Sequence, residues 1–359
     1  MVRSRENCAV RVAIRTDASL GIGTGHVMRC LTLAGKMAGR GATVTFVCRK
    51  EAGHLCDHIE ESGFVVAALP STGDLSDGAR WKQDANESLE ALTGMNFAPD
   101  LLVVDQYILD ERWERALRPV ARRILVIDDL ANRTHDCDIL LDPNLHDSPE
   151  SRYTGLVGER TRIFVGPRYA LLRPEFDRVA PRTRDRGVGC LFIFFGGADP
   201  SNEALKLTRA LRELGARAPR TVMVLGPINP HAEEIRRSAA GLVGIELIGA
   251  TREMARLMAD ADLAVGTCGG AAWERCILGL PALVVVSASN QSDDARILHS
   301  MGAVRNLGAA GDTGVEAWAV ALAAMQEDPT ALTAMSLSAQ AVMRGREEAM
   351  RDFETALVQ

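Results

Sequence analysis

Residues 10–39 read VRVAIRTDASLGIGTGHVMRCLTLAGKMAG, and this stretch decides the fold. A short apolar run at residues 10–14 is followed by a glycine-rich loop and by a segment, residues 27–39, whose apolar positions recur with helical spacing. An apolar run without alternation predicts a strand covered on both faces, as in a parallel sheet flanked by helices. The stretch therefore predicts a strand–loop–helix unit of an α/β fold, with the loop at the carboxyl end of the strand, where such sheets bind ligands.

The same alternation continues along the chain in two series. The further apolar runs of the first series lie at residues 43–48, 65–69, 101–104 and 124–127, and those of the second lie at residues 191–195, 221–225, 245–248, 263–265 and 282–286. Between the series, residues 173–187 hold two prolines and many charges without apolar periodicity, which indicates a linker. The sequence therefore predicts two doubly wound, Rossmann-like domains facing one crevice, at residues 8–172 and 188–338.

Length and composition exclude several classes of protein. A chain of 359 residues predicts two domains at about 100–200 residues per domain, and 47% apolar with 25% charged residues excludes a largely disordered chain. The net charge of −6 argues against nucleic acid or an anionic membrane surface as the main partner. No apolar run reaches about 18 residues, and no apolar segment follows the arginines of residues 1–7. We therefore expect no membrane span, no signal peptide and a cytoplasmic location.

The cysteines and histidines give little sign of a metal site. The eight cysteines lack the paired spacing of a zinc site or a redox motif, which indicates free thiols. His54 and His58 are four residues apart in a predicted surface helix at residues 52–63, so they could share one helix face as metal ligands. A solvated helix face is the alternative interpretation. The sequence predicts neither a bound metal nor a cofactor.

The loop after the first strand carries the first candidate site. Its glycines have the spacing G-x-G-x-G-H, which lets a ligand approach the backbone next to the free N–H groups of a helix N-terminus. A dinucleotide fingerprint would need G-x-G-x-x-G and an acid after the second strand, where this chain has Arg49 and Lys50. The helix N-terminus favours a neutral imidazole at His26, as a general base requires. A histidine that only forms a cap is the alternative.

Carboxylates follow several apolar runs of the first series. They are Asp17, Asp105, Asp128, Asp129 and Asp142, and they are expected to gather on one rim of the sheet. No closely spaced D-x-D pair supports a metal site. We expect one or two of these acids to orient a histidine or to bind sugar hydroxyls, and the others to cap helices.

The second series has a candidate loop of its own. The segment Leu263-Ala-Val-Gly-Thr-Cys-Gly-Gly-Ala-Ala-Trp-Glu274 has the pattern of a strand, a glycine-rich turn and a helix, and such a turn can bind a diphosphate through backbone amides. Glu274 is placed to accept hydrogen bonds from a ribose diol, and Asn290 and Gln291 suit sugar hydroxyls. Tight strand–helix turns also use glycine for their own geometry. Together with the turn after residues 191–195, the pattern predicts a nucleotide-linked substrate.

These motifs resemble a known family. The matching segments are Arg15-x-Asp17-x-Ser19-x-x-Ile22-Gly23-x-Gly25-His26-x-x-Arg29, Val104-Asp105-x-Tyr107, Ile127-Asp128-Asp129, Gly166-x-x-Tyr169-x-Leu171-Leu172-Arg173-x-x-Phe176 and Phe195-Gly196-Gly197-x-Asp199-Pro200. They resemble the UDP-2,4-diacetamido-2,4,6-trideoxy-β-L-altropyranose hydrolases, over residues 12–308. The turn up to Glu274 also resembles the donor-nucleotide site of GT-B glycosyltransferases, such as the enzyme that adds N-acetylglucosamine in peptidoglycan synthesis.

The resemblance implies a GT-B fold and a step of pseudaminic acid biosynthesis, a pathway that supplies nonulosonic acids for flagellin or surface glycans. The family hydrolyses its UDP-sugar to UDP and 2,4-diacetamido-2,4,6-trideoxy-L-altrose without a metal. By resemblance, His26 is the general base and Tyr107 a substrate contact. The other substrate-binding residues are expected to be Asp17, Gly23, Gly25, Arg29, Asn290 and Gln291, and the UDP-binding residues Ile248, Gly266, Thr267, Gly269, Gly270 and Glu274. The last helical stretch, residues 339–359, is expected to pack back on the N-terminal domain, as GT-B tails do.

The expected chemistry agrees with this resemblance. UDP is a good leaving group, so hydrolysis needs a positioned water, a neutral base and amide dipoles for the diphosphate. We expect water to attack C1 of the sugar with inversion. The alternatives are a GT-B glycosyltransferase with a UDP-amino-sugar donor, a hydrolysing UDP-sugar 2-epimerase and a non-catalytic UDP-sugar-binding protein. The sequence does not determine the oligomeric state.

Overall fold

The chain forms two compact units. The computed structural model describes residues 9–72 and 77–358. Of these, the N-terminal unit comprises the residues up to Pro143, Ser148–Leu171 and the residues from Ala349 onward, and the C-terminal unit comprises Asn144–Asp147 and Leu172–Glu348. Residues 1–7, for which no signal peptide is predicted, and Cys8 lie outside the described residues. The other seven cysteines are free thiols.

The N-terminal unit is built on a parallel sheet of seven strands in the order β3-β2-β1-β4-β5-β6-β7. The strands are β1 (Arg11–Thr16), β2 (Thr43–Arg49), β3 (Val65–Leu69), β4 (Leu101–Asp105), β5 (Arg123–Ile127), β6 (Ile139–Asp142) and β7 (Arg162–Val165). The helices between them are α1 (Gly25–Ala38), α2 (Cys56–Glu61), α3 (Asp77–Gly94) and α4 (Glu111–Leu117). The order of the first six strands is that of a doubly wound nucleotide-binding sheet.

The C-terminal unit repeats this topology with six parallel strands in the order β10-β9-β8-β11-β12-β13. The strands are β8 (Cys190–Phe194), β9 (Arg220–Val224), β10 (Ile245–Ile248), β11 (Leu263–Thr267), β12 (Ala282–Val286) and β13 (Val304–Ala309). The helices are α5 (Glu203–Leu214), α6 (Ala232–Ala239), α7 (Met254–Asp260), α8 (Ala271–Ile277), α9 (Ser292–Ser300), α10 (Val315–Glu327), α11 (Pro329–Val342) and the start of α12 (Arg346–Val358). None of the described helices is long and apolar enough to cross a membrane.

Helix α1 shows how the opening stretch produces the core. Its buried apolar residues are Val27, Cys30, Leu33, Ala34 and Met37, which recur at the helical period and form one face. This face packs into a hydrophobic core with the buried side chains of β1, β2 and β4. The second core of this unit, on Trp113 and its neighbours, covers the opposite face of the sheet. Cover on both faces explains why these strands are apolar without alternation.

Most residues of the predicted linker, residues 173–187, are exposed, but two of its side chains are buried within the C-terminal unit. Phe176 and Arg184 are each 1% exposed. The Arg184 guanidinium donates hydrogen bonds to main-chain carbonyls, among them those of Leu278 and Ala261. The charges of this segment suggest that it is solvated. Arg184 can nevertheless be buried, because carbonyl oxygens accept hydrogen bonds from its N–H groups.

The C-terminal stretch also differs from the single helix expected at residues 339–359. It is divided between α11 and α12, because Gly345 has a φ of +79°, which favours glycine and ends the first helix. Helix α12 contributes Phe353 and Leu357 to the core of the N-terminal unit. Arg123 donates to the carbonyl oxygen of Ala356 at 2.9 Å, which adds a polar contact to this packing.

A buried charge network holds the carboxyl end of β1. Asp84 of α3 accepts hydrogen bonds from Arg15 Nη2 at 2.5 Å, from Arg49 Nη2 at 2.7 Å and from Trp113 Nε1 at 2.9 Å. Burial raises the pKa of Asp84, but the two guanidinium groups dominate and lower it to about 2. Arg15 also binds Asp17 through two N–H groups, at 2.6 and 2.7 Å. The network therefore connects α3 to the loop that follows β1.

Replacing Asp84 with alanine is expected to destabilise the protein by about 3–5 kcal/mol, because it leaves two buried cations short of a counter-ion. The folded pKa lies below the unfolded value of 3.8, so the carboxylate stabilises the fold above about pH 4, and this contribution is lost as the pH falls toward 2. Urea denaturation at pH 7 and pH 3 measures both effects. The exposed Asp57→Asn is the control, and equal stability of Asp84→Ala and the control would contradict this role.

Candidate functional site

The first candidate site lies where strand order reverses in the N-terminal sheet. Strands β1 and β4 are neighbours there, and Thr16 pairs in register with Asp105. Ligands of doubly wound sheets bind at this switch point, outside the carboxyl ends of the strands. The glycine loop after β1 and the first turn of α1 lie at this end. The topology thus brings the predicted loop, His26 and Asp105 together.

His26 is the second residue of α1 and is 7% exposed. Its Nδ1 lies 2.5 Å from Asp105 Oδ1. Burial raises the pKa of Asp105, but Arg29 and His26 outweigh it and hold that pKa far below its ordinary value. An ionised carboxylate only accepts hydrogen bonds, so a neutral imidazole in this place carries its proton on Nδ1. The lone pair is then on Nε2, which is the atom available as a base.

Arg29 completes the surroundings of Asp105. It donates to the carboxylate from Nε at 2.7 Å and from Nη2 at 2.6 Å, and its Nη1 reaches Asp129 at 3.1 Å. Cys30 Sγ adds a contact to Asp105 at 3.4 Å. The bidentate arginine fixes the plane of the carboxylate and balances its charge. Arg29 therefore lies beside His26, and its guanidinium binds both Asp105 and Asp129.

Tyr107 packs against His26. The two rings meet edge to face, with their centroids 4.6 Å apart. Burial and the nearby charge of Asp129 raise the pKa of Tyr107 well above its ordinary value, so the phenol remains neutral and can donate a hydrogen bond. The structure thus places Tyr107 beside the predicted base.

The structure favours structural roles for three of the other acids. Both oxygens of Asp17 accept hydrogen bonds from within the unit, including 2.7 Å contacts from Arg49 N and Gln106 Nε2. This arrangement indicates that Asp17 holds the loop in place, rather than binding the substrate as predicted. Asp128 binds Arg133 at 2.8 Å, and Asp142 accepts from Tyr153 Oη at 2.8 Å. Tyr153 carries no signal in the sequence that marks it as their partner.

The glycines of the first loop differ in what they require. Gly23 has a φ of +76° and forms a bridge with Ser19, so its backbone conformation alone favours glycine. At Gly25 a Cβ atom would have no neighbour within 4 Å. The space beside Gly25, at the N-terminus of α1, is therefore open to a ligand.

The second candidate site lies at the corresponding reversal of the C-terminal sheet, where β8 and β11 are neighbours. Gly266 lies inside β11, and a Cβ atom there would come within 2.4 Å of the Phe194 carbonyl oxygen. Strand packing thus accounts for this glycine without a ligand. Gly269 and Gly270 follow the strand. A Cβ atom on Gly269 would lie 3.7 Å from Gln291 Nε2, and a Cβ atom on Gly270 would have no neighbour within 4 Å. Of the predicted glycines in this turn, these two have room for a ligand.

The predicted residues around this turn are brought together in part. Gln291 is held by Ser287, whose N and Oγ each donate to Gln291 Oε1 at 3.2 Å, and Asn290 precedes it in the same helical turn. Thr267 ends β11 and precedes the turn directly. Ile248 ends β10, which is three strands from β11 and therefore about 14 Å away.

Glu274 is 9% exposed and has a partner that spacing alone does not reveal. Arg173 Nε and Nη2 each donate to one of its carboxylate oxygens at 2.8 Å. The salt bridge orients the carboxylate and leaves a lone pair on each oxygen for a further donor. Arg173 belongs to the motif that ends at Phe176, which is the one signal in the sequence that could have found it.

The pair of histidines considered as metal ligands does not share a helix face. Helix α2 begins at Cys56, so His54 precedes it, and His54 Nδ1 accepts a hydrogen bond from the Cys56 N–H at 3.3 Å. Within the ranges 9–72 and 77–358, no group of three or more histidine, cysteine, aspartate or glutamate residues is arranged to hold a metal ion.

Comparison with curated proteins gives three relatives. The UDP-2,4-diacetamido-2,4,6-trideoxy-beta-L-altropyranose hydrolase of Campylobacter jejuni is 27% identical over 297 residues, which is 82% of this chain and 97% of the relative. An uncharacterized protein of Methanocaldococcus jannaschii is 25% identical over 77% of this chain. The spore coat polysaccharide biosynthesis protein SpsG of Bacillus subtilis is 30% identical over 41% of it. The aligned regions span about half the length of these last two proteins, 55% and 44%. No family model matches the chain.

Solved structures with a similar backbone include glycosyltransferases and a putative UDP-N-acetylglucosamine 2-epimerase from Listeria monocytogenes, which has a TM-score of 0.58 at 15% identity and covers 98% of this chain and 96% of its own. Acinetobacter baumannii MurG superposes with a TM-score of 0.62 at 14% identity and covers 96% of this chain and 99% of its own. LpCGTa in complex with UDP has a TM-score of 0.65 at 14% identity and covers 98% of this chain and 100% of its own. The chain therefore has the GT-B fold, and the resemblance of its sequence to the UDP-2,4-diacetamido-2,4,6-trideoxy-β-L-altropyranose hydrolases is confirmed.

Proposed function

We propose that this protein is an enzyme that acts on a UDP-linked sugar and transfers it to water. The observation that carries the proposal is the contact of His26 Nδ1 with a buried, ionised Asp105, because it leaves Nε2 of a neutral imidazole as a base. A protein that only binds a UDP-sugar has no use for such a dyad. The C. jejuni relative, which is named as a hydrolase, supports the same conclusion.

The nucleotide is assigned to the C-terminal unit. The open space beside Gly269 and Gly270 suits a diphosphate, whose oxygens accept hydrogen bonds from backbone N–H groups. Glu274, oriented by Arg173, is assigned to the ribose hydroxyls. The complex of LpCGTa with UDP supports UDP as the nucleotide, since that protein has the same fold.

In the proposed reaction, His26 Nε2 removes a proton from water as the water oxygen bonds to C1 of the sugar. The bond between C1 and the diphosphate oxygen breaks, and UDP leaves with the bonding electrons. Asp105 holds the imidazole through Nδ1, and Arg29 balances the charge of Asp105 as the proton arrives. Tyr107, Asn290 and Gln291 are assigned to the sugar. The reaction needs no metal and no cofactor in this scheme.

The sugar is proposed to be 2,4-diacetamido-2,4,6-trideoxy-β-L-altropyranose, the one in the name of the C. jejuni relative. The step would then belong to pseudaminic acid biosynthesis in the cytoplasm and would supply flagellin or surface glycans. The name of SpsG supports a role in surface polysaccharide synthesis. The competing function is transfer of the sugar to an acceptor alcohol, which the glycosyltransferase neighbours favour.

His26→Asn is expected to lower turnover by about 100-fold or more, since the general base is lost, while the affinity for UDP stays within about twofold. Asp105→Asn is expected to cause a loss of the same order, because a carboxamide no longer fixes the tautomer of His26. Initial rates of UDP release and calorimetric titration with UDP measure the two effects. The exposed Asp57→Asn is the control. Near-normal turnover of His26→Asn would remove His26 from the reaction.

Gly270→Ala and Gly266→Ala form a matched pair that tests the nucleotide site. Alanine at residue 270 fits the φ of −50° and ψ of −31° and the open space, so stability should change by less than about 1 kcal/mol. Its methyl group should nevertheless weaken UDP binding by about tenfold, equal to about 1.4 kcal/mol. Alanine at residue 266 should instead destabilise the fold by about 1–3 kcal/mol, because it collides with Phe194. Thermal unfolding and calorimetry measure both, and wild-type UDP affinity in Gly270→Ala would refute the assignment.

The bond that breaks is tested in oxygen-18 water without an acceptor. Departure of UDP develops oxocarbenium character at C1, which makes this carbon the electrophile. UDP should be released, and the label should be found on the C1 hydroxyl of the inverted sugar and not on UDP. Mass spectrometry must follow quickly, since ring opening exchanges that oxygen. Label on the β-phosphate would mean attack at phosphorus, and no release of UDP without an acceptor alcohol would favour a transferase.

A further inference from the structure

Arg275 of α8 is a buried cation that lacks a counter-ion. It is 2% exposed, and within the described residues the one hydrogen bond it donates runs from Nη2 to the Thr267 carbonyl oxygen at 2.6 Å. Its Nε is buried with no hydrogen-bond partner. No carboxylate in residues 9–72 or 77–358 forms an ion pair with it. A guanidinium has five N–H donors, so Arg275 leaves most of its capacity unused.

Two other buried arginines, Arg15 and Arg184, have partners for their N–H groups. Arg15 is 1% exposed and binds the carboxylates of Asp17 and Asp84. Arg184 is also 1% exposed, and it donates hydrogen bonds to main-chain carbonyls, including those of Arg182 and Ala261. Arg275 has neither kind of compensation. Its burial therefore carries a cost that the protein alone does not offset.

The groups nearest to Arg275 do not supply the missing negative charge. The carboxylate of Glu274 is already paired with Arg173 at 2.8 Å. Burial raises the pKa of the Cys268 thiol and of the Cys276 thiol to about 12, so both are neutral at physiological pH. Burial lowers the pKa of Arg275, but a guanidinium remains protonated in this range. A net positive charge therefore remains beside the glycine turn.

The guanidinium of Arg275 lies at the end of β11, next to the glycine turn. Arg275 Nη1 lies 3.0 Å from the place where a Cβ atom of Gly266 would be, so the guanidinium lies against the end of β11. Its hydrogen bond to Thr267 holds the carbonyl that directly precedes the turn of Cys268, Gly269 and Gly270. Because the surroundings exclude water, the field of the charge is weakly screened and extends into the open space beside the turn.

We propose that Arg275 is a positioning residue that makes the glycine turn selective for ligands with several negative charges, such as a nucleoside diphosphate. It does not touch the ligand. It holds the Thr267 carbonyl and supplies a positive field, and a bound diphosphate provides the counter-ion that the free protein lacks. The inference rests on the proposed nucleotide site and adds the reason why a diphosphate, rather than a nucleoside, is retained there.

The test compares the affinities of uridine, UMP and UDP for the wild type and for Arg275→Met by calorimetry. The variant should bind UDP about 10- to 100-fold more weakly, UMP with an intermediate loss, and uridine within about twofold of the wild type, where tenfold equals about 1.4 kcal/mol. Arg275→Lys should recover most of the UDP affinity, since it restores the charge. Equal losses for all three ligands, or no loss for UDP, would overturn the proposal.

Stability separates this role from a merely structural one. Removal of an uncompensated buried charge should leave the melting temperature of the ligand-free protein unchanged or raise it, while the increase caused by UDP becomes smaller. Arg184→Met is the control. It should lower the melting temperature, and any change in its affinity should be the same for uridine, UMP and UDP. If Arg275→Met does not fold, Arg275→Gln is judged by the same binding criteria. Failure of the wild type to bind UDP would overturn the proposed function as well. If the wild type binds UDP and the variants bind uridine, UMP and UDP with the same relative affinities as the wild type, only this inference is overturned.

Discussion

The carboxylate of Asp105 is the group on which the N-terminal candidate site depends. It ends a strand in the middle of the sheet, is removed from water, and accepts hydrogen bonds from Arg29 and His26 of one helix. A buried anion is tolerated only where its partners match it in charge and geometry, so each partner is constrained by the others. The imidazole consequently has one orientation and one tautomer before any ligand arrives. The loop of residues 17–24 makes this possible, because it places the first turns of α1 beside Asp105 at the end of β4.

The two units differ in how buried charges are paired at the carboxyl ends of their sheets. In the N-terminal unit the buried charges Arg15, Asp17 and Asp84 pair with one another. In the C-terminal unit the corresponding place retains an unbalanced guanidinium at Arg275 and two glycines with open space beside them. A neutral, preorganised base is what proton transfer needs, whereas an excess of positive charge is what a phosphate ligand needs. The difference agrees with the proposal that the N-terminal unit supplies the base and the C-terminal unit binds the nucleotide.

Much of the fold could be predicted because the central parallel strands are buried on both faces and therefore form uninterrupted apolar runs. Strands β6, β7 and β13 are absent from the predicted apolar runs. Strands β7 and β13 lie at sheet edges and carry exposed arginines, Arg162 and Arg305, which obscure their apolar pattern. The loop with His26 was predictable from local spacing. The partners of Asp17 and Glu274 could not be predicted in this way. Arg49 and Gln106, which bind Asp17, and Arg173, which binds Glu274, are distant in sequence and meet these acids only in the folded chain.

Helix α12 has a consequence for how the protein is made. Its side chains Phe353 and Leu357 belong to the hydrophobic core under β1 and β4, although all strands of that sheet are synthesised before residue 166. A ribosome therefore releases a nearly complete N-terminal sheet with part of its apolar surface uncovered, and that surface stays uncovered while the whole C-terminal unit is translated. The first unit therefore completes its hydrophobic core last, although its strands are synthesised first.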